Sequence, residues 1–229
     1  HSPGERSIPT GLKRLIKHVF NDLPWITADA IIAVTPYVQE RHLLSSCIPR
    51  RKSFIAQNGI PPIGRGAEYR HYCHDAFGLP HHATIVLTTG RASLYKQIDF
   101  VIQCANVLIS RDRIADLYFV YCGDGPDLDR LRNLAKDYSL LDRFIFAGNR
   151  SDIGRIAQSC DIGIQASKGE VGYSLSILEY MSAGLATVVP DNPSVCGATR
   201  HGETGLLYGE NVLESACAAL RRLALDSDY

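Results

Sequence analysis

The chain has 229 residues, 45% of them hydrophobic and 21% charged, with 24 Lys plus Arg against 24 Asp plus Glu. The length exceeds a single-core domain of ~100–150 residues. The zero net charge argues against a basic nucleic-acid binder or an acidic disordered tail, and no apolar run approaches the ~20 residues of a membrane-spanning helix. Seven scattered cysteines, without a Cys-x-x-Cys and mostly in apolar stretches, read as small reduced core residues of a cytoplasmic protein.

Short β-branched runs alternate with longer helical patterns, the signature of an α/β fold in which helices flank a parallel sheet. In chain order the predicted strands are Ala30–Val34, Phe54–Ala56, Thr84–Thr88, Leu117–Tyr121, Phe144–Phe146, Ile162–Gln165 and Ala186–Val189. Their nearly continuous apolar character suits strands buried on both faces. Apolar residues at 3.6-type spacing predict helices over Tyr95–Ser110, Asp127–Tyr138, Ser174–Ser182 and Asn211–Leu225. The segment 61–82 is rich in Pro and Gly, with a short polar helix over Ala67–Phe77, and reads as a linker or domain edge. The residues after this segment suffice for a Rossmann-like domain of ~150 residues. Those before it hold about two strands and two helices, too little to fold alone. Together with a start at His1, with neither Met nor signal peptide, this reads as the tail of a domain whose front is missing.

In open parallel sheets ligands bind beyond the carboxyl ends of the strands. After Thr84–Thr88 comes Thr89-Gly90-Arg91 and then Lys96. Arg91 and Lys96 there could converge on an anion at a helix N-terminus, or could be two solvated cations, and the placement leaves the two readings level. The turn Gly123-Asp124-Gly125-Pro126 is weak evidence alone. After Ile162–Gln165, a Gly-containing loop carrying Glu170 opens a helix at Gly172-Tyr173-Ser174-Leu175, where backbone N–H groups are free. Glu179, one turn further and flanked by apolar residues, either faces solvent or binds hydroxyl groups.

His71, Cys73, His74, His81 and His82 match no standard zinc spacing and read as exposed histidines. The basic amphipathic stretch Leu12–Phe20 reads as a surface helix, membrane contact being the less common alternative. No catalytic triad and no Walker A loop is present.

Taken together these residues resemble the nucleotide-sugar-dependent glycosyltransferases of group 1, or family 4, over nearly the whole chain. Six motifs in order carry the resemblance: Gln57-Asn58-Gly59-Ile60; Gly90-Arg91 with Lys96; Gly123-Asp124-Gly125-Pro126; Ser167 and Glu170 with Gly172-Tyr173-Ser174; Leu178-Glu179-Tyr180-Met181-Ser182-Ala183-Gly184; and Gly202-Glu203-Thr204-Gly205-Leu206-Leu207. The resemblance implies the GT-B architecture, two Rossmann-like domains across a cleft. Residues 1–58 would be a remnant of the acceptor-side domain and residues 59–229 the donor-binding domain. It implies retaining sugar transfer from a UDP-, GDP- or ADP-sugar, with no cofactor and no essential metal. Arg91, Lys96 and Glu170 would be catalytic, the two cations holding the diphosphate and offsetting charge on the leaving phosphate. Gly90, Gly172, Tyr173, Ser174 and Leu175 would help hold the donor, Glu179 would take the ribose hydroxyls, and loops near Gly148–Asp152 would read the base.

Glu170 and Glu179 have eight residues between them where the family pattern has seven, so either Val171 is an insertion and Glu170 keeps its role, or Val171 replaces the first glutamate; the intact Ser167-x-x-Glu170 and Gly172-Tyr173-Ser174 on either side favour insertion. Gln97 stands where the family usually has glycine. The acceptor is a glycan, a lipid-linked sugar or a small molecule. No nucleic acid is expected as a partner, and the expected location is the cytoplasm, with peripheral membrane contact through the rest of the N-terminal domain. A non-catalytic scaffold subunit and a GT-B epimerase are the competing readings. Loss of Arg91, Lys96 or Glu179 would favour the first, and all three are present. On this reading the 229-residue chain binds donor and transfers little sugar by itself.

Overall fold

The computed structural model describes residues 27–45, 49–170 and 173–226. The predicted helix Leu12–Phe20, together with Val171 and Gly172, lies outside them.

Two parallel sheets are present. The smaller pairs β1 (Ile31–Ala33) with β2 (Ser53–Ile55) through α1 (Pro36–Ser45). Thr35 starts α1, its Oγ1 accepting the Val38 N–H at 3.1 Å, with Pro36 in the first turn, where its missing N–H costs nothing. One face of this sheet is open: Ile32 is 66% exposed and Phe54 54%.

The larger sheet contains β3 (Thr84–Thr89), β4 (Leu117–Cys122), β5 (Phe144–Gly148), β6 (Ile162–Ile164), β7 (Ala186–Pro190) and β8 (Gly205–Tyr208). They lie in the order β5-β4-β3-β6-β7-β8, and every pairing is parallel. Counted from β3 this is the 3-2-1-4-5-6 order of a doubly wound Rossmann fold. Side chains alternate across it with the period of two that a pleated strand imposes. Val86, Phe119 and Tyr121 pack with α3 (Ile98–Asn106), α4 (Leu128–Asp137) and α7 (Leu213–Leu225) on one face. Ile85, Leu87 and Val120 pack with α2 (Tyr72–Phe77), α5 (Ile153–Gln158) and α6 (Leu175–Ser182) on the other.

The seven predicted strands are all found within a residue or two of their ends. The helices begin later than predicted. Gln97 and Asn211 stand in left-handed backbone at φ 50 and 58, so α3 opens at Ile98 rather than Tyr95 and α7 at Leu213. Tyr95 and Lys96 instead belong to a turn, in which the Lys96 N–H donates to the Ser93 carbonyl. α3 runs on into a π-helical turn, Val107–Arg111.

Residues 61–82 differ more. The single polar helix expected over Ala67–Phe77 is a 3-10 turn (Ala67–Tyr69) followed by α2, and two of its residues are core. Cys73 is fully buried and His74 only 5% exposed, which corrects the expectation of exposed histidines for His74. The physical reason is that α2 lies on the sheet, its Cys73 N–H donating to Ser159 Oγ at 2.9 Å. The stretch before α2 is strapped down as well. Ile63 and Gly64 donate through their backbone to Ser182, Arg65 to the Gly184 carbonyl, and Gly66 to Gln158 Oε1. The six described cysteines are free thiols, five of them buried.

Candidate functional site

β3 and β6 are neighbours whose onward connections leave toward opposite ends of the sheet, so a crevice opens beyond their carboxyl ends. Two loops fill it. The first, from Gly90 to Gln97, is braced from beside: Gly90 N–H donates to the Cys122 carbonyl, Ala92 N–H to that of Asp124, and Tyr121 Oη to that of Gly90 at 2.8 Å. A Cβ on Gly123 would collide with the Gly90 carbonyl oxygen, so the Gly-Asp-Gly-Pro turn has glycine there because the loop lies directly against it. On this braced loop Arg91 is exposed, and among the described residues it makes no hydrogen bond or ion pair. Lys96 Nζ reaches across to Glu170 Oε1 at 2.6 Å, both side chains largely covered (24% and 15% exposed).

The second loop, after β6, is fastened to the first by the Lys168 N–H on the Tyr95 carbonyl. Gln165, at the end of the strand, donates from Nε2 to Ser174 Oγ at 2.9 Å and to Glu170 Oε1 at 3.3 Å. Ser194 Oγ accepts the Glu170 N–H. Because Ser174 faces Gln165, it makes no side-chain cap on α6, and the first N–H groups of that helix keep their partial positive charge uncapped. Tyr173, before α6, accepts from Gln57 Nε2 on its hydroxyl and from Asn58 Nδ2 on its carbonyl, which joins the Gln57-Asn58 turn to this loop. Leu175 is 51% exposed at the helix start.

Glu179 is half-buried in α6, its carboxylate has no hydrogen-bond partner among the described residues, and burial raises its pKa above the ordinary carboxylate value. Behind it, Tyr180 lies across Gly163 of β6, where any Cβ would strike its ring. Its hydroxyl accepts the Thr89 N–H at 2.7 Å, and Thr89 Oγ1 donates to Ser176. The end of β3 and the start of α6 are thereby held together.

At the rim, Arg150 grips Asp152 through two nitrogens while Tyr72 donates to the same carboxylate at 2.6 Å. The guanidinium and then the phenol hold the Asp152 carboxyl down at about 2. Two cavities, of about 680 and 550 Å³, lie at the opposite, amino-terminal end of the central strands, beside Thr84 and Asp161, and are separate from this crevice.

The structure therefore gathers Gly90, Arg91, Lys96, Glu170, Tyr173, Ser174, Leu175 and Glu179 around one switch point, and joins Lys96 directly to Glu170. Gly172 lies outside the described residues. Gln165 was not foreseen as a site residue. Its signal is a single amide at the end of the otherwise apolar run Ile162-Gly163-Ile164. Among the described residues no group of three or more His, Cys, Asp or Glu side chains is set to hold a metal ion, and no helix is long and apolar enough to cross a membrane.

A doubly wound parallel sheet with cationic and acidic side chains converging at its switch point defines a Rossmann-type ligand-binding unit. More specifically, the chain belongs to the family of glycosyl transferases group 1, which it matches over residues 73–229. It is 29% identical over 219 residues to alpha-monoglucosyldiacylglycerol synthase of Streptococcus pneumoniae, covering 91% of this chain and 47% of that protein. It is 30% identical over 122 residues to the uncharacterized glycosyltransferase YqgM of Bacillus subtilis, covering 52% of this chain and 34% of the relative. Its fold is shared with Anabaena HepE, crystallised with UDP and glucose, at a TM-score of 0.78 and 17% identity, covering 87% of this chain and 54% of that one. The chain thus spans about half the length of these relatives or less.

Proposed function

We propose that the chain forms the donor half of a retaining glycosyltransferase, which takes a sugar from a nucleotide-sugar donor and passes it to an acceptor bound by a facing domain. The observation that carries this reading is the Lys96–Glu170 pair on two loops at the switch point, beside an unpaired Arg91 and the uncapped start of α6. A diphosphate suits this arrangement chemically. Its charge would draw Lys96 from Glu170, engage Arg91 and rest on the α6 N–H groups, a charge-assisted set of donors. As the glycosidic bond breaks, the same cations would stabilise the charge growing on the leaving phosphate. Glu170, released, would face the sugar, and the unpartnered Glu179 carboxylate would accept from ribose hydroxyls. The base would lie toward Gly148–Asp152, beside the Arg150–Asp152 pair.

UDP in the Anabaena structure supports a nucleoside diphosphate as the recognised part of the donor. Residues up to 58 are proposed to belong with the acceptor-side domain, and the exposed apolar pair Ile32 and Phe54 on their own two-stranded sheet supports this. A glycan, lipid-linked or small-molecule acceptor would bind there, the protein working in the cytoplasm or at its membrane face. The test is calorimetry of the 229-residue chain with UDP, GDP and ADP. Saturable heat with one of them is the expected result. No heat with any of the three would end the donor-domain reading.

A further inference from the structure

The cavity of about 550 Å³ at the amino-terminal end of the central strands is lined by Arg65, Arg70, His71, His74, His81 and His82, with Asp161 as the only acid among its lining residues. Three of the imidazoles pack as a unit. His71 and His81 stack with centroids 4.4 Å apart and planes 9° apart, and His74 stands edge-on to them at 5.3 and 5.8 Å. His74 is 5% exposed, its Nε2 lies 3.3 Å from the Ala83 carbonyl, and its Nδ1 is buried with no partner. His71 Nδ1 is also buried and unpartnered. Both rings line the cavity, and an unsatisfied polar atom on each is costly unless something supplies a partner.

The bonds already made indicate which ligand. A carbonyl accepts only, so His74 carries its proton on Nε2 when neutral, and Nδ1 becomes a donor only when the ring takes a second proton. His81 is in the same position, with Nε2 committed to Asp75 Oδ1 at 2.9 Å. The surrounding charges are Arg65 and Arg70 against Asp161, whose carboxylate already accepts the Ile85 N–H at 2.8 Å and faces Arg65 at 3.9 Å. Asp75 is paired with His81, and Asp116 lies 3.4 Å from His82. Two guanidinium groups, always charged, and near-parallel rings disfavour a divalent cation and favour an anion.

We propose that this cavity is a second ligand site, which binds a tetrahedral oxyanion of the phosphate class, free or as a monoester, between the Arg65 and Arg70 guanidinium groups and the histidine rings, and that binding draws a proton onto His71. Burial and the neighbouring cations lower the His71 pKa. Its ring therefore stays neutral until an anion offsets those cations, which couples proton uptake to binding. The site is independent of the donor crevice, with which it shares no residue.

Ring signals of the histidines, followed by NMR on the 229-residue chain, test it. Sulfate is the first probe because its charge is constant across the range, with chloride at equal ionic strength as control. Saturable shifts at His71, His74 and His81 are expected, about tenfold tighter near pH 6 than near pH 8 if one proton is taken up over the His range. The exposed substitution Arg70→Ala should weaken sulfate about fivefold or more through loss of one charge-assisted contact. Lys96→Ala, in the donor crevice, should leave it unchanged. Inorganic phosphate and methyl phosphate then separate the free ion from an ester, and binding of either supports the site. The proposal fails if sulfate gives no saturation near pH 6, if Arg70→Ala binds as the parent does, if Lys96→Ala abolishes the shifts, or if only Zn²⁺ saturates the cluster.

Discussion

Glu179 and Lys96 show how differently two residues of one crevice can be prepared. Lys96 already has a carboxylate partner, whereas Glu179 waits half-buried with none among the described residues. If Glu179 receives ribose hydroxyls, its value lies in the ionised form. Glu179→Ala should therefore weaken UDP by about 1.5–3 kcal/mol, the range for hydrogen bonds to a charged group, and should abolish the preference for UDP over its 2′,3′-dideoxy analogue in calorimetry. Burial raises the pKa of this group, so binding by the parent chain should weaken as pH falls through that raised value and recover above it. An Ala variant that keeps the ribose preference would assign the hydroxyls elsewhere. The placing of Arg91, Lys96 and Glu179 at strand-to-helix junctions of a parallel sheet was legible in the sequence, whereas the roles proposed for them came only from the family resemblance. Gln165 and His74 were not legible. One polar residue at a strand end looks like the start of a loop, and a helix of only six residues, such as α2, carries too little periodicity to show which face is buried.

At the scale of elements, the contact between β6 and α6 is set by a missing side chain. Tyr180 occupies the space a Cβ on Gly163 would need, and its hydroxyl closes the end of β3 through Thr89. Gly163→Ala should displace the ring and destabilise the chain by about 1–3 kcal/mol, as overpacking does, while Tyr180→Phe should cost about 1 kcal/mol by stranding the Thr89 N–H. Denaturant unfolding reads both, and a Gly163→Ala chain as stable as the parent would contradict this packing. The strands were legible because burial on both faces leaves long apolar runs. The six-residue α5 and the four-residue β8 were not, the first too short for a helical pattern and the second, Gly205-Leu206-Leu207-Tyr208, too short to stand out as a strand. Helix starts were misplaced at Gln97 and Asn211, because left-handed backbone at a non-glycine residue leaves no mark in composition.

For the whole molecule, the six-stranded sheet places its two notable side-chain clusters at opposite ends of its central strands. The acidic and cationic loops stand beyond the carboxyl ends of β3 and β6, and the histidine cavity lies against Thr84 and Asp161, where those strands begin. The parallel architecture could be read from alternating strand and helix patterns. The strand order could not, since it depends on which side of β3 each crossover returns. On the proposed function, Glu170 holds Lys96 until a donor diphosphate takes its place. Calorimetric titration of UDP, or whichever diphosphate the parent binds, into Glu170→Gln and Lys96→Ala tests this most directly. Glu170→Gln should bind about two- to fivefold tighter, since a partly covered ion pair of modest strength no longer competes. Lys96→Ala should bind about 1.5–3 kcal/mol more weakly. Unchanged or weaker binding by Glu170→Gln, or parental binding by Lys96→Ala, would contradict the account.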